Sequence, residues 1–131
     1  MEFKSKAKLD KKKRKEQSQY LLTKYPDKVP VILEKDPSSK ILELKKTNFL
    51  LEKKSTVNQL LQLIRRKTEL KEGEALFLQA KAKYGISGEK TIGEIYKEYK
   101  DDDGFIYIMY TTELIYGQNK IIYELYSSNY I

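Results

Sequence analysis

Residues 28–35 read Lys-Val-Pro-Val-Ile-Leu-Glu-Lys, and this run constrains the fold more than any other part of the chain. Under the two-residue period of a strand, Val29, Val31 and Leu33 share one face and Ile32 takes the other. Pro30 has no amide hydrogen, which predicts an edge strand or the start of one. Before the run, Tyr25-Pro26-Asp27 ends a helix, because proline pushes the residue ahead of it out of the helical region. After the run, Asp36-Pro37-Ser38-Ser39 has the residues of a turn.

The helix before Tyr25 spans residues 11–24, with Tyr20 and Leu21 on one side. A second strand is expected over Asn48 to Lys53. Ser55-Thr56 then supplies an N-cap for a helix with apolar positions Val57, Leu60, Leu61 and Ile64. Residues 74–79 make a third strand. Thr91-Ile92-Gly93-Glu94 has the form of a capping box, followed at helical spacing by Ile95, Tyr96 and Tyr99. Asp101 to Gly104 is a turn, and Phe105 to Tyr110 is a last strand. The order of helix, strand, strand, helix, strand, short helix, strand predicts an α+β fold, a sheet with helices mainly on one side. The β-grasp arrangement of ubiquitin is one member of that class, and periodicity alone stops there.

A chain of 131 residues is long enough for one core. It has no histidine and no cysteine, so it cannot supply a Ser–His–Asp or Cys–His nucleophile system, nor the ligands of ordinary zinc sites. A role other than that of an enzyme is expected, and no metal site. The absence of cysteine is compatible with the cytosol. No apolar run reaches the length of a membrane span, and the basic N-terminus has no apolar segment behind it to make a secretory signal. The Asp101-Asp102-Asp103 run fails as a calcium loop, because Tyr99 and Tyr110 stand where ligands are needed.

The net charge of +7 is concentrated in residues 1–15, where eight Lys and Arg face only Glu2 and Asp10. Such an arm attracts acidic membrane or tubulin tails, or is simply a solvated face. A nucleic-acid partner is not expected, because Phe3 is the one aromatic residue among those bases.

Four segments in register resemble the autophagy ubiquitin-like modifiers related to GABA-receptor-associated protein and microtubule-associated protein light chain three. They are Lys24-Tyr25-Pro26-Asp27-Lys28-Val29-Pro30-Val31-Ile32, then Thr56-Val57-Asn58-Gln59 leading to Leu63-Ile64-Arg65-Arg66-Lys67, then Glu74-Ala75-Leu76-Phe77. The fourth runs from Ile95-Tyr96-Lys97-Glu98 through Asp103-Gly104-Phe105-Ile106-Tyr107 to Tyr116-Gly117. The resemblance implies a ubiquitin-like β-grasp with a four-stranded mixed sheet and two additional N-terminal helices. It divides the chain into a basic helical arm (1–24), the β-grasp domain (25–117) and a C-terminal extension (118–131).

In function, the resemblance implies that a cysteine protease cuts between Gly117 and Gln118, that activating and conjugating enzymes then act, and that Gly117 is joined to phosphatidylethanolamine. Beyond that covalent lipid no cofactor is expected. The protein would be cytoplasmic, and on autophagosome or vesicle membranes when lipidated, where it recruits cargo receptors. Those receptors would present an aromatic-x-x-aliphatic segment to a groove along the second strand. By position, the aromatic pocket takes Gln17, Leu21, Pro30, Leu50 and Phe105, and the aliphatic pocket Phe49, Leu51, Leu60 and Leu63. Lys28, Lys46 and Lys67 form the rim. Leu60, Leu63 and Phe105 equally suit a core. Leu76-Phe77-Leu78 corresponds to a further docking face but reads better as core strand.

The chain departs from the family in four places. Ala7-Lys8-Leu9 replaces a His-Pro-Phe segment, so the two N-terminal helices are expected to merge or fray. Asn48 stands for a basic residue, Glu52 for a proline and Ser55 for an aliphatic one. The extension, with Ile121, Ile122, Tyr123, Leu125, Tyr126, Tyr130 and Ile131, is read as a removable segment, or else as one retained on the body. The competing function is an unlipidated β-grasp adaptor whose basic arm holds microtubules or anionic membrane.

Overall fold

The structure is a computed structural model that describes residues 3–81 and 83–112. The expectations for Gly117, the Gly117-Gln118 bond and the 118–131 extension lie outside the described residues. Its elements are α1 (Lys4–Lys8), α2 (Lys11–Lys24), β1 (Lys28–Lys35), β2 (Asn48–Glu52), α3 (Val57–Thr68), β3 (Phe77–Ala80), β4 (Lys83–Tyr84), α4 (Ile92–Tyr99) and β5 (Ile106–Thr111). The sheet order is β2-β1-β5-β3-β4. The four expected strands are all present in a mixed sheet, and the two-residue β4 turns back on β3 as an added edge. The third strand begins at Phe77 rather than at residue 74.

The sheet grows from the pair β1–β5. They run parallel, Val31 beside Ile106 and Lys35 beside Tyr110, and a parallel pair is stable when covered on both faces. Six consecutive residues of β1, Val29 to Glu34, are buried. On one face Val29, Val31 and Leu33 meet Ile106, Ile108 and Tyr110 under the apolar stripes of α3 and α4. On the other, Ile32, Phe105 and Tyr107 form a separate cluster closed by Phe3 and Leu21. The N-terminal helices therefore act as the second lid of the sheet.

Two expectations are corrected. β1 is not an edge; it pairs with β2 and β5. Pro30 is tolerated because of where its missing donor falls. The Leu33 amide donates to the Thr47 carbonyl (2.8 Å) on the β2 side. Amides alternate along a strand, so Val29 and Val31 also face β2. Pro30 faces β5, one residue before that ladder starts at Val31. Nor do the N-terminal helices merge. Leu9 is extended, and the Asp10 side chain accepts from the Lys13 amide (2.9 Å), which starts α2 afresh. α1 is held in turn by Glu34, whose carboxylate accepts from the Lys4 and Ser5 amides (2.8 and 2.9 Å).

The helix starts on the core side are stitched together. Thr56 and Thr91 each form a complete capping box, with Gln59 and Glu94. Thr56, rather than Ser55, is the cap of α3. The Val57 amide donates to the Lys90 carbonyl and the Ile92 amide to the Ser55 carbonyl (2.8 and 2.7 Å).

Candidate functional site

The alternation that spares Pro30 also defines the sheet's open side. Because Thr47 faces β1, so do Phe49 and Leu51. The main-chain groups of Asn48 and Leu50 then point away from the sheet, along an edge that no described strand covers. Side chains divide the other way. Phe49 and Leu51, opposite Val31 and Val29, pack on the main core face. Asn48 and Leu50, opposite Ile32 and Pro30, lie on the face that α2 covers.

A cavity opens on each side of this edge. The one on the α2 side, about 340 Å³, is walled by Gln17, Tyr20 and Leu21 from α2, with Leu50 and Phe105. The one on the α3 side, about 380 Å³, is walled by Leu42, Leu44, Phe49 and Lys67. Lys46 and Phe49 line both, and the Lys46 ammonium lies 5.3 Å from the Phe49 ring centre, a cation over an aromatic face. Lys24 reaches the Tyr20 hydroxyl (3.0 Å), and its ammonium is held above its ordinary range first by that bond and then by the charges of Tyr20 and Tyr25.

The wall formed by α2 is fixed by one buried carboxylate. Asp103, fully shielded, accepts from Arg14 Nε (2.9 Å), from the Tyr107 hydroxyl (2.5 Å) and from the Phe105 amide (2.9 Å). The bond to Asp103 raises the Arg14 pKa, and the Tyr107 phenol is pushed far up, first by burial and then by Asp103. Ser18 Oγ donates to the Asp103 carbonyl (2.5 Å). That approach requires glycine at the next position: Gly104 has φ +92°, and a Cβ there would stand 2.2 Å from Ser18 Oγ. Lys6 bonds Asp101 (2.8 Å); burial works to raise the Asp101 carboxyl, but Lys6 and the Asp103 amide outweigh it and hold it low. Two members of the triple aspartate, Asp101 and Asp103, thus clamp the basic arm. Among the described residues no acidic cluster is suited to a metal.

Of the expected aromatic pocket, Gln17, Leu21, Leu50 and Phe105 line the α2-side cavity, while Pro30 is buried beneath the sheet edge. Tyr20 is an added wall. The residues expected for the aliphatic pocket fall in different places. Phe49 lines the α3-side cavity, but Leu51 and Leu63 are half-buried against the core, and Leu60, 3% exposed, is part of it. The reason is helical spacing: Leu60 shares a stripe with Val57 and Ile64, which turns it inward. Leu42 and Leu44 are further walls of the α3-side cavity, and the only signal for them was a pair of leucines in a loop that holds three lysines and one glutamate. Of the expected rim, Lys46 lines both cavities and Lys67 the α3-side one. Lys28 lines neither and stands 6.0 Å from the Tyr25 ring. Leu78 of the further docking face is core, with Leu76 packed against it. No helix among the described residues is long and apolar enough to cross a membrane.

Residues 13–117 match the family described as autophagy protein Atg8, ubiquitin like. Microtubule-associated protein 1 light chain 3 gamma of Homo sapiens is 37% identical over 105 residues, which cover 79% of this chain and 71% of that protein. The crystal structure of Trypanosoma brucei ATG8 superposes with a TM-score of 0.78 at 30% identity, covering 85% of this chain and 95% of that one.

Proposed function

The chain belongs to the Atg8 family of ubiquitin-like autophagy modifiers, and from that premise we propose that it is cut after Gly117, conjugated there to phosphatidylethanolamine, and used on autophagosomal membranes to gather cargo receptors. The observation that carries the processing step is where the family match stops: it ends on Gly117, and residues 118–131 fall beyond it. Glycine has no Cβ, so an extended chain can thread a narrow protease channel and leave its carbonyl open to attack. An anchor of two acyl chains holds a protein on a bilayer, whereas one is marginal. The protein itself is acted upon; protease, activating and conjugating enzymes do the chemistry.

The receptor groove is supported by the open edge of β2. A peptide added as a strand would pair with the outward main-chain groups of Asn48 and Leu50. Its side chains would alternate between the two faces. Two residues three apart point to opposite faces, which fits an aromatic beside Gln17, Tyr20 and Leu21 and an aliphatic residue over Phe49, Leu51 and Leu63. In that placement the peptide runs in the direction of β2, with Lys46 and Lys67 facing its acidic neighbours.

The test is intact mass after incubation of the full chain with the family's cysteine protease. The expected product ends at Gly117 and, given the conjugating enzymes and vesicles containing phosphatidylethanolamine, gains that lipid. A chain that keeps residues 118–131, or a Gly117→Ala variant processed and lipidated as well as the wild type, overturns the reading.

A further inference from the structure

The α3-side cavity extends away from Leu51 and Leu63, toward the loop that precedes β2, and so lies behind the point where the aromatic side chain would sit. We propose that this cavity is an upstream subsite of the groove. It takes an aliphatic side chain one or three positions before the anchoring aromatic of a peptide that also carries carboxylates there. The inference rests on the groove reading above.

The cavity is built by a loop with fixed ends. Ile41 and Leu44 are buried in the core, and the Leu44 amide donates to the Tyr110 hydroxyl (2.8 Å) deep in the sheet. Between those anchors Leu42 is turned outward and remains 55% exposed. Among the described residues only Tyr20, Tyr25 and Leu42 are large hydrophobic side chains left so open, and Tyr20 and Leu42 each wall one of the two cavities. An exposed leucine pinned beside Phe49 offers apolar area that the fold does not use. Around it Lys45, Lys46 and Lys67 outnumber Glu43, which favours a peptide with negative charge close to its apolar side chain.

The spacing follows from strand geometry. With the aromatic on the face of Asn48 and Leu50, side chains at odd offsets point to the Phe49 face. Three residues of strand advance about 10 Å, enough to reach from the edge of β2 into the loop. A residue two positions before the aromatic points to the α2 side and cannot reach Leu42. The subsite therefore predicts an alternation, not a general benefit from hydrophobicity.

The experiment uses the full chain and synthetic peptides that share an aromatic-x-x-leucine segment and an acidic upstream stretch. One reference peptide has alanine at all three positions before the aromatic; three others place leucine at the first, second or third. Binding is read by calorimetry. Leucine at the first or third position is expected to tighten binding by on the order of tenfold, as burial of part of one leucine side chain would. Leucine at the second position is expected to leave it within about twofold. In Leu42→Ala, which changes an exposed residue, that gain should vanish while the reference peptide binds as before. Equal gains at all three positions, or gains that survive Leu42→Ala, overturn the subsite and leave the groove standing. If Leu42→Ala alters only self-association, the face belongs to a second copy of the chain and the subsite is refuted. If the reference peptide itself does not bind, the groove reading fails and the subsite with it.

Discussion

Replacing Arg14 with methionine tests how the basic arm is held to the body. Methionine keeps much of the apolar stem and removes the guanidinium, which bonds Asp103 at 2.9 Å and the carbonyls of Lys6 and Leu9 at 2.9 and 2.6 Å. The bond to Asp103 is charge-assisted, and such a bond contributes about 1.5–3 kcal/mol. The two carbonyls sit at the half-exposed junction of α1 and α2, where water can replace the lost donor, so they add about 0.5 kcal/mol each. Removing one partner of a wholly buried ion pair costs about 3–5 kcal/mol. Here Asp103 keeps the Tyr107 hydroxyl and the Phe105 amide, and Arg14 is 15% exposed, which puts the loss near the bottom of that range, about 3 kcal/mol. With a urea slope of about 2 kcal/mol/M, the unfolding midpoint should fall by about 1.5 M. A double-mutant cycle with Asp103→Asn should return a coupling of about 2 kcal/mol between the two side chains. A coupling below about 0.5 kcal/mol, indistinguishable from additivity, would refute the argument that this pair pins α2 to the turn before β5.

Leu60→Ala should lower stability by about 2–5 kcal/mol, as a core leucine does, while peptide affinity measured by calorimetry falls less than in Leu63→Ala. Thr56→Ala should cost about 1 kcal/mol in urea unfolding, the usual cost of losing an N-cap. Gly104→Ala should destabilise through both its left-handed backbone and the Ser18 contact, and Ser18→Ala in the same chain should recover part of that loss. The last prediction concerns acid. Asp101 is held below its ordinary value of 3.8 in the folded protein, so unfolding takes up a proton as pH falls through that window, and its stabilising contribution is present above it and lost below. Stability curves of wild type and Lys6→Met should therefore differ at pH 7 and converge as the pH drops below 4; a constant gap down to pH 2 would contradict the Lys6–Asp101 assignment.

The sequence displayed the core more fully than the site. Val29, Val31 and Leu33 alternate, α3 and α4 begin with capping boxes, and their apolar stripes repeat at helical spacing, so each local signal agrees with its neighbours. Helical spacing separates two leucines that the resemblance had put in one pocket: Leu60 repeats with Val57 and Ile64 and enters the core, while Leu63 stands at the margin of that stripe and stays half-buried. The loop holding Leu42 has no period at all. Its outward turn follows from Ile41 and from a bond between Leu44 and Tyr110, sixty-six residues apart. Contacts of that range also explain the N-terminus. Nothing local in Lys4 to Lys8 marks a helix, because Glu34, thirty residues away, satisfies its first amides. Pro30 was legible as an exception, and its resolution needed the partner strand.

The start of α2 carries a consequence for how the arm responds to ionic conditions. Lys11, Lys12 and Lys13 crowd the end of the helix where the peptide dipoles already leave partial positive charge, and its first turn has no acidic residue. The Asp10 side chain caps this turn, accepting from the Lys13 amide. Most surface ion pairs weaken as electrolyte is added, but here the main interaction being screened is a repulsion. The opening turn of this helix should fray in dilute buffer and tighten as salt rises, or as any anion settles against it.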